Sequence, residues 1–347
     1  MRGIRSALKA QDASMPLLLS DRAVLTSPVP LVTSAESRML GIRVASASHV
    51  RVRSGIYAPR AGYLALHPWE RYEARVHAFV RAHPDAVLCL ESAAVVWGLP
   101  RFGETRDIHV FDPDRTRSRR FGDVCVHTSA HERAVVRQGP LLCTSMIDTV
   151  VDLSRVLPPA EALTVVDAAI SPAQGGPLDL SEVREHASAQ TTTRGSARQR
   201  WLWERADGRS ESPAESVSRA VIEWCGFEDP ELQREFRYER VRDRVDFFFA
   251  SIRAIGESDG WGKYELEDAA KAAERLRDEK RREDRLRRRG HPFARWDLGD
   301  AWRVAPLQRA LSAAGVPLLR PPQPAMLATL RGRPRAVRSE REKPLPA

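Results

Sequence analysis

The stretch Arg244-Val245-Asp246-Phe247-Phe248-Phe249, followed after a short break by Ile255-Gly256-Glu257-Ser258-Asp259-Gly260-Trp261-Gly262-Lys263, decides how the chain is read. It has the apolar density of two short strands joined by a tight turn, yet it carries three carboxylates. Strands disfavour acidic residues unless those residues are needed. A turn centred on Ser251 and Ile252 sets Asp246 directly opposite Glu257, and alternation brings Asp259 onto the same face. Three like charges on one patch repel unless a cation lies between them. The pattern therefore predicts a metal site.

Phosphodiester hydrolysis suits such a patch. Mg²⁺ takes oxygen ligands, keeps some of its waters and accepts a phosphate oxygen. It polarises the phosphate and acidifies a bound water for attack. A lysine nearby positions that water or offsets transition-state charge. Among 55 basic residues only Lys9, Lys263, Lys271, Lys280 and Lys343 are lysine. Lys263, a compact point charge in an arginine-rich chain, stands where this chemistry needs one.

The run D-x10-E-x-D-G-x-x-K resembles the active-site region of restriction-endonuclease-like (PD-(D/E)XK) domains, and most of all the branch related to very-short-patch-repair nucleases. The flanks agree. Ser212 caps a helix with Glu215 as its capping-box partner. Arg234–Glu239, Arg244–Phe249 and Ile252–Ser258 read as a three-strand meander, Leu266–Arg289 as a charged helix stopped by Gly290, and Phe293–Trp296 as a further strand. A helix that Pro306 interrupts or restarts follows. The resemblance implies an α-β-β-β-α-β core, with Asp246 and Glu257 as metal ligands, Glu215 as the helix-borne acid and Lys263 in a slot that is histidine or lysine in this branch. It also implies DNA as substrate. The chain departs from the commonest pattern, E-x-K, because Asp259 stands two residues after Glu257.

At 347 residues the chain has room for two or three domains, and no apolar run approaches the ~18 residues that would suggest a membrane helix. Met15-Pro-Leu-Leu-Leu-Ser is too short for a secretory signal, and Met15 is a candidate alternative start. Cys89, Cys125, Cys143 and Cys225 form no C-x-x-C pair, which predicts reduced thiols in a cytoplasmic protein and no zinc site. The net charge of +9 and pI near 9.9 favour an anionic partner, nucleic acid above all.

In the front half, Thr33 and Glu36 form a capping box for a short helix that closes on Gly41. Val50-Arg51-Val52-Arg53-Ser54-Gly55-Ile56-Tyr57-Ala58 then alternates apolar with basic residues, as a hairpin wing with a cationic outer face would. Arg51 and Arg53 are its candidate phosphate contacts. A helix is expected over Pro68–Ala82, a buried helix with small residues in the stretch Ala86–Pro100 ending at Gly98, and strands at Asp107–Phe111 and Asp123–His127. A further helix follows a Thr cap in the stretch Leu142–Leu153. Ser92-Ala93-Ala94-x-x-Trp97-Gly98-Leu99-Pro100, the wing and Thr144 to Leu153 are similar to AbiEi-type antitoxins, whose fold begins with a winged helix-turn-helix. That resemblance implies a nucleotidyltransferase toxin as a cognate partner. The segment from Gly41 to Val50 is too short for a full recognition helix. His109, His127 and His131 lack a partner carboxylate at ligand spacing, so no metal or catalytic role is expected of them.

Within the Pro-rich, charged tail, Arg331-Gly332-Arg333-Pro334-Arg335 matches an AT-hook core, which enters narrow minor grooves through its arginines. The expectation is an α+β multidomain chain. It comprises a flexible N-terminus (1–30), a winged-helix-like segment (31–60), a mixed α/β middle domain (61–186), a linker (187–210), a restriction-endonuclease-like domain (211–318) and a disordered basic tail (319–347). The expected function is Mg²⁺-dependent endonucleolytic cleavage of DNA. The alternatives are a non-catalytic antitoxin or regulator whose nuclease-like domain binds DNA or a partner, and an interaction module that binds no nucleic acid.

Overall fold

The computed structural model describes residues 17–259, 269–332, 335 and 337. The described residues form a mixed α/β structure with three sheets, and contacts divide the chain into two compact units that are not contiguous in sequence. The amino-terminal unit comprises Leu19–Leu157 and Leu178–Glu204 together with tail residues 335 and 337. The carboxy-terminal unit comprises Pro158–Pro177 and Arg205–Gly332, with Leu17 and Leu18.

The amino-terminal unit begins with α1 (Leu19–Arg22), β1 (Val32–Thr33), α2 (Ser34–Met39), β2 (His49–Arg53), β3 (Ile56–Pro59) and α3 (Arg60–Ala65). Thr33 and Glu36 close the capping box of α2 as expected. The β2–β3 hairpin turns at Gly55, whose φ of +71° suits glycine, and Val50 and Val52 pack inward on Val29, Ala58 and Ala74. Next come α4 (Pro68–Ala82), β4 (Val87–Leu88), α5 (Leu90–Trp97), β5 (Ile108–Phe111), β6 (Arg119–Phe121), β7 (Val124–His127), β8 (Val135–Gln138), β9 (Leu141–Thr144) and α6 (Met146–Val156). The strands form one six-stranded sheet in the order β6-β7-β5-β4-β9-β8. Tyr72, Val76 and Phe79 of α4 share a core with Ala93 and Val96 of α5 and with Ile108, Val124 and Leu141 of the sheet. Ser145, not Thr144, caps α6 by accepting the Asp148 N–H. The expected flexible segment 1–30 is ordered from α1 onward in its described part. Leu19 and Val29 are buried, and the Leu19 carbonyl lies against Gly98.

After α6 the chain enters the other unit. Helix α7 (Pro159–Ile170), whose residues fall within the expected middle domain 61–186, groups with the carboxy-terminal unit. The physical reason is its composition, apolar nearly all round, which demands cover on every side. Its Asp167 accepts a 2.9 Å bond from Arg219 and a 2.8 Å bond from the Asp207 N–H. Helices α8 (Leu180–Ser188) and α9 (Ser196–Arg205) follow, so the expected linker 187–210 is largely helical, with Gln199 and Leu202 buried.

The remaining elements are α10 (Pro213–Cys225), β10 (Glu231–Tyr238), β11 (Val241–Phe249), β12 (Ala254–Asp259), α11 (Ala269–Arg288), β13 (Phe293–Asp297), α12 (Leu298–Arg303), α13 (Ala305–Ala313) and α14 (Pro324–Ala328). Four strands form the sheet β10-β11-β12-β13, antiparallel except for the parallel pair β12–β13, whose crossover is α11. Helix α10 covers one face, where Trp296 donates to Ser218 at 2.8 Å. Leu286 of α11 packs with Val245, Phe248 and Ile255. Residues 319–332, expected as the start of a disordered tail, are folded. Leu319 and Gln323 donate to the carbonyls of Gly226 and Trp224, and Leu330 is buried.

Gly226, at φ +87°, ends α10 where an added Cβ would lie 2.0 Å from the Arg320 carbonyl oxygen. Gly226→Ala is therefore expected to destabilise the protein by roughly 2 kcal/mol or more, read as a lower urea midpoint.

Candidate functional site

Strands β11 and β12 pair from Phe249↔Ala254 to Phe247↔Gly256, which centres their turn between Ser251 and Ile252 as the sequence predicts. One step further in this register sets Asp246 across from Glu257, but there the ladder stops. The Ser258 N–H instead donates to Asp246 Oδ2 at 2.9 Å. On its other side Asp246 faces Gln233, where the β10–β11 ladder skips a pair and Gln233 sits at φ +54°. Asp246 is thus held at a fork in the sheet, beside a backbone conformation that is costly for a residue other than glycine.

Two further carboxyl groups feel its charge. Glu257 is 6% exposed, and burial together with Asp246 pushes its carboxyl up to about 8 against the pull of Arg282. Arg282 of α11 donates from the same nitrogen to Glu257 Oε1 at 2.9 Å and to the Arg244 carbonyl at 2.8 Å, so it closes the fork. Glu215 on α10 is equally buried, and its carboxyl is raised by burial and by Asp246. Three donors hold it: the Glu211 N–H at 2.9 Å, the Ser212 hydroxyl at 2.8 Å and Gln233 Nε2 at 2.9 Å. Glu211, paired with Arg244 at 2.6 Å, is also raised, by burial and Asp246 against the pull of Arg244. Asp259 stands at the exposed end of β12, 3.8 Å from Arg295.

Mg²⁺ commonly takes one or two protein carboxylates and fills its remaining positions with water and phosphate. Asp246 and Glu257 fit that requirement as hard oxygen donors on neighbouring strands. Glu215 is committed to its three donors, and Asp259 turns toward Arg295. Among the described residues no group of three or more His, Cys, Asp or Glu side chains stands ready to hold a metal. Of the expected trio, Asp246 and Glu257 lie on neighbouring strands and Asp259 stands beside Arg295. Lys263 lies outside the described residues. Sequence reading missed Glu211, Gln233 and Arg282. Gln233 and Arg282 reach the site only through the bulge and the packing of α11, and no local pattern marks them.

The candidate nucleic-acid contacts divide as sharply. Arg51 is exposed on β2. Arg53 is committed within the fold, bonded to both Asp123 oxygens at 3.3 and 3.2 Å and stacked over Phe79. Arg331 is exposed, and Arg333 lies outside the described residues. Arg335 is held in the amino-terminal unit, where it pairs with Glu91 and donates to His109 Nε2 at 3.1 Å. His109 and His127 join at 2.9 Å, and His109 has Glu91 at 3.5 Å, so these histidines do have a carboxylate partner. It arrives from α5, a contact that strand spacing does not reveal. His131 bonds Thr191.

No family model matches the chain, and no solved structure matches it. Over 249 residues it is 31% identical to the uncharacterized protein MT2308 of Mycobacterium tuberculosis strain CDC 1551 / Oshkosh, an alignment covering 70% of this chain and 84% of the relative. The same values hold for the uncharacterized protein Rv2248 of strain ATCC 25618 / H37Rv. The chain belongs to the family of these mycobacterial proteins. Among its described residues no helix is long and apolar enough to cross a membrane.

His109 offers a test of the buried cluster. Burial, helped by Arg335 and His127 and opposed by Glu91, lowers its imidazole to about 4. A base depressed in the folded state gains its proton more readily when unfolded. Its stabilising contribution is therefore complete above 6.5 and is lost as the pH falls from 6.5 through 4. Urea midpoints should drop across that window by an amount worth roughly 3 kcal/mol, and His109→Asn should flatten that part of the profile.

Proposed function

We propose that the chain is a DNA-binding protein whose carboxy-terminal unit hydrolyses DNA phosphodiester bonds with Mg²⁺, and that it works in the cytoplasm. The observation that carries this reading is the fork. Half-buried Asp246 and buried Glu257 stand together on adjacent strands, and Asp246 raises the Glu257 carboxyl against the pull of Arg282. When bound there, Mg²⁺ supplies an electrophile for a phosphate oxygen and acidifies a water. Asp246 and Glu257 would hold the ion, and Asp259 would assist from the exposed end of β12, while Glu215 stays with its three donors. Lys263 positions the attacking water. Arg282, beside Glu257, has a planar guanidinium suited to a phosphate. The positive net charge, the exposed Arg51 and Arg331, and Arg333 support an anionic partner. Four free thiols suit a reducing compartment.

A second reading rests on the same guanidinium. Arg282 is bonded to Glu257 at 2.9 Å, and the chain carries Asp259 where the commonest nuclease pattern has lysine. Both favour a non-catalytic antitoxin or transcriptional regulator that binds DNA or a cognate nucleotidyltransferase toxin.

Cleavage of plasmid DNA with Mg²⁺ or Mn²⁺ separates the readings. Asp246→Asn and Glu257→Gln, which keep the shapes of the side chains, should each reduce cutting by roughly 100-fold or more. Mg²⁺ should raise the thermal midpoint of the native chain and leave those of the two variants unchanged. DNA retardation without cutting, and with no response to metal, would give the site to the regulator.

A further inference from the structure

Glu91 lies in the first turn of α5 with its side chain 5% exposed, and the residue before it, Leu90, adopts φ +48°. That left-handed conformation is unfavourable for leucine, and it occurs at the residue that sets Glu91 into the interior. Behind the carboxylate stand His109 and then His127, in line at 3.5 and 2.9 Å. His109 accepts from Arg335 through Nε2, which assigns its proton to Nδ1, the nitrogen that faces His127. The histidine is therefore a neutral acceptor, and the carboxylate depends on a cation from elsewhere.

Arg335 supplies that cation from a distant part of the sequence. It reaches both Glu91 oxygens, one at 2.7 Å, as well as the His109 ring. The main chain on either side is also held. The Arg335 carbonyl accepts from the Arg106 N–H and the Val337 N–H donates to the Glu104 carbonyl, each at 2.8 Å. These are the two ingredients of peptide capture by strand addition: backbone bonds that give affinity and a pocket that selects a side chain. We propose that Glu91, His109 and the backbone of Glu104 and Arg106 form an arginine-specific peptide-binding site, and that the C-terminal arm docks its Arg335 there. The planar fork matches a carboxylate and a ring nitrogen together; a lysine ammonium lacks that geometry. While Arg335 is docked, the Arg-Gly-Arg-Pro-Arg run has one arginine fewer to offer a minor groove. This site shares no residue with the carboxylate fork, so its fate is independent of the hydrolase reading.

The test uses the full chain carrying Arg335→Ala, which leaves Glu91 intact, and a fluorescein-labelled peptide of residues 329–338. Fluorescence polarisation should show the peptide binding this variant at least tenfold more tightly than a control peptide with lysine in place of Arg335. It should also bind the native chain at least tenfold more weakly, because the arm already fills the site. Equal binding of the two peptides would overturn the proposal, as would equal binding by native and variant chains. A second readout is tryptic cleavage after Arg335, followed by mass spectrometry. Glu91→Gln, with folding checked by circular dichroism, should be cut at least tenfold faster than the native chain, and equal rates would count against docking. If Glu91→Gln does not fold, the peptide titration decides alone.

Discussion

A carboxylate withdrawn from water needs a cation, a proton or several hydrogen-bond donors, and this requirement organises both units. At the fork, Glu257 takes Arg282 while Glu215 takes three donors. In α7 the fully buried Asp167 takes Arg219 and a backbone N–H. In the amino-terminal unit Glu73 takes Arg101, Asp152 takes Arg133 and Glu91 takes Arg335. Such pairs add little net stability over apolar residues of the same size, but breaking one by removing a partner costs several kcal/mol. They act chiefly as constraints on which segments must meet.

Asp246 is where several carboxyl groups converge. It stands near Glu211, Glu215 and Glu257, and its charge works against the ionised form of each. Regular β11–β12 pairing does not continue to Asp246. Instead the ladder opens, Gln233 takes a strained conformation, and Asp246 accepts a main-chain N–H that would otherwise be spent within the sheet. Irregular pairing of this kind re-aims side chains locally, here beside clustered acids.

Much of this was legible in the sequence. Helix α4 begins and ends where Pro68 and the polarity break after Ala82 put it, because proline at the first helical position and an amphipathic run are local signals. The β11–β12 register followed from the turn, since two strands with a short connection have few ways to pair. The α-β-β-β-α-β order that the resemblance implied is the order of elements over residues 213–297. What was not legible depends on contacts far apart in the chain. Strands β4, β6, β8 and β9 are short and weakly patterned. Arg53, Arg335 and His109 found partners that no spacing rule connects to them. The same holds for Arg282, which is one arginine among many on α11 until the helix is seen against Glu257.

The interleaving of the two units bears on how the protein is divided. A fragment cut at the polar stretch before residue 211 contains the whole four-stranded sheet, yet it leaves behind α7, whose Asp167 is the counter-charge of Arg219 on α10. Excision at that seam would bare an apolar helix face and orphan a guanidinium, and the product would tend to self-associate for reasons unrelated to its chemistry. A faithful miniature of the carboxy-terminal unit has to carry residues 158–177 spliced ahead of residue 205, because folding here joins what the linear order separates.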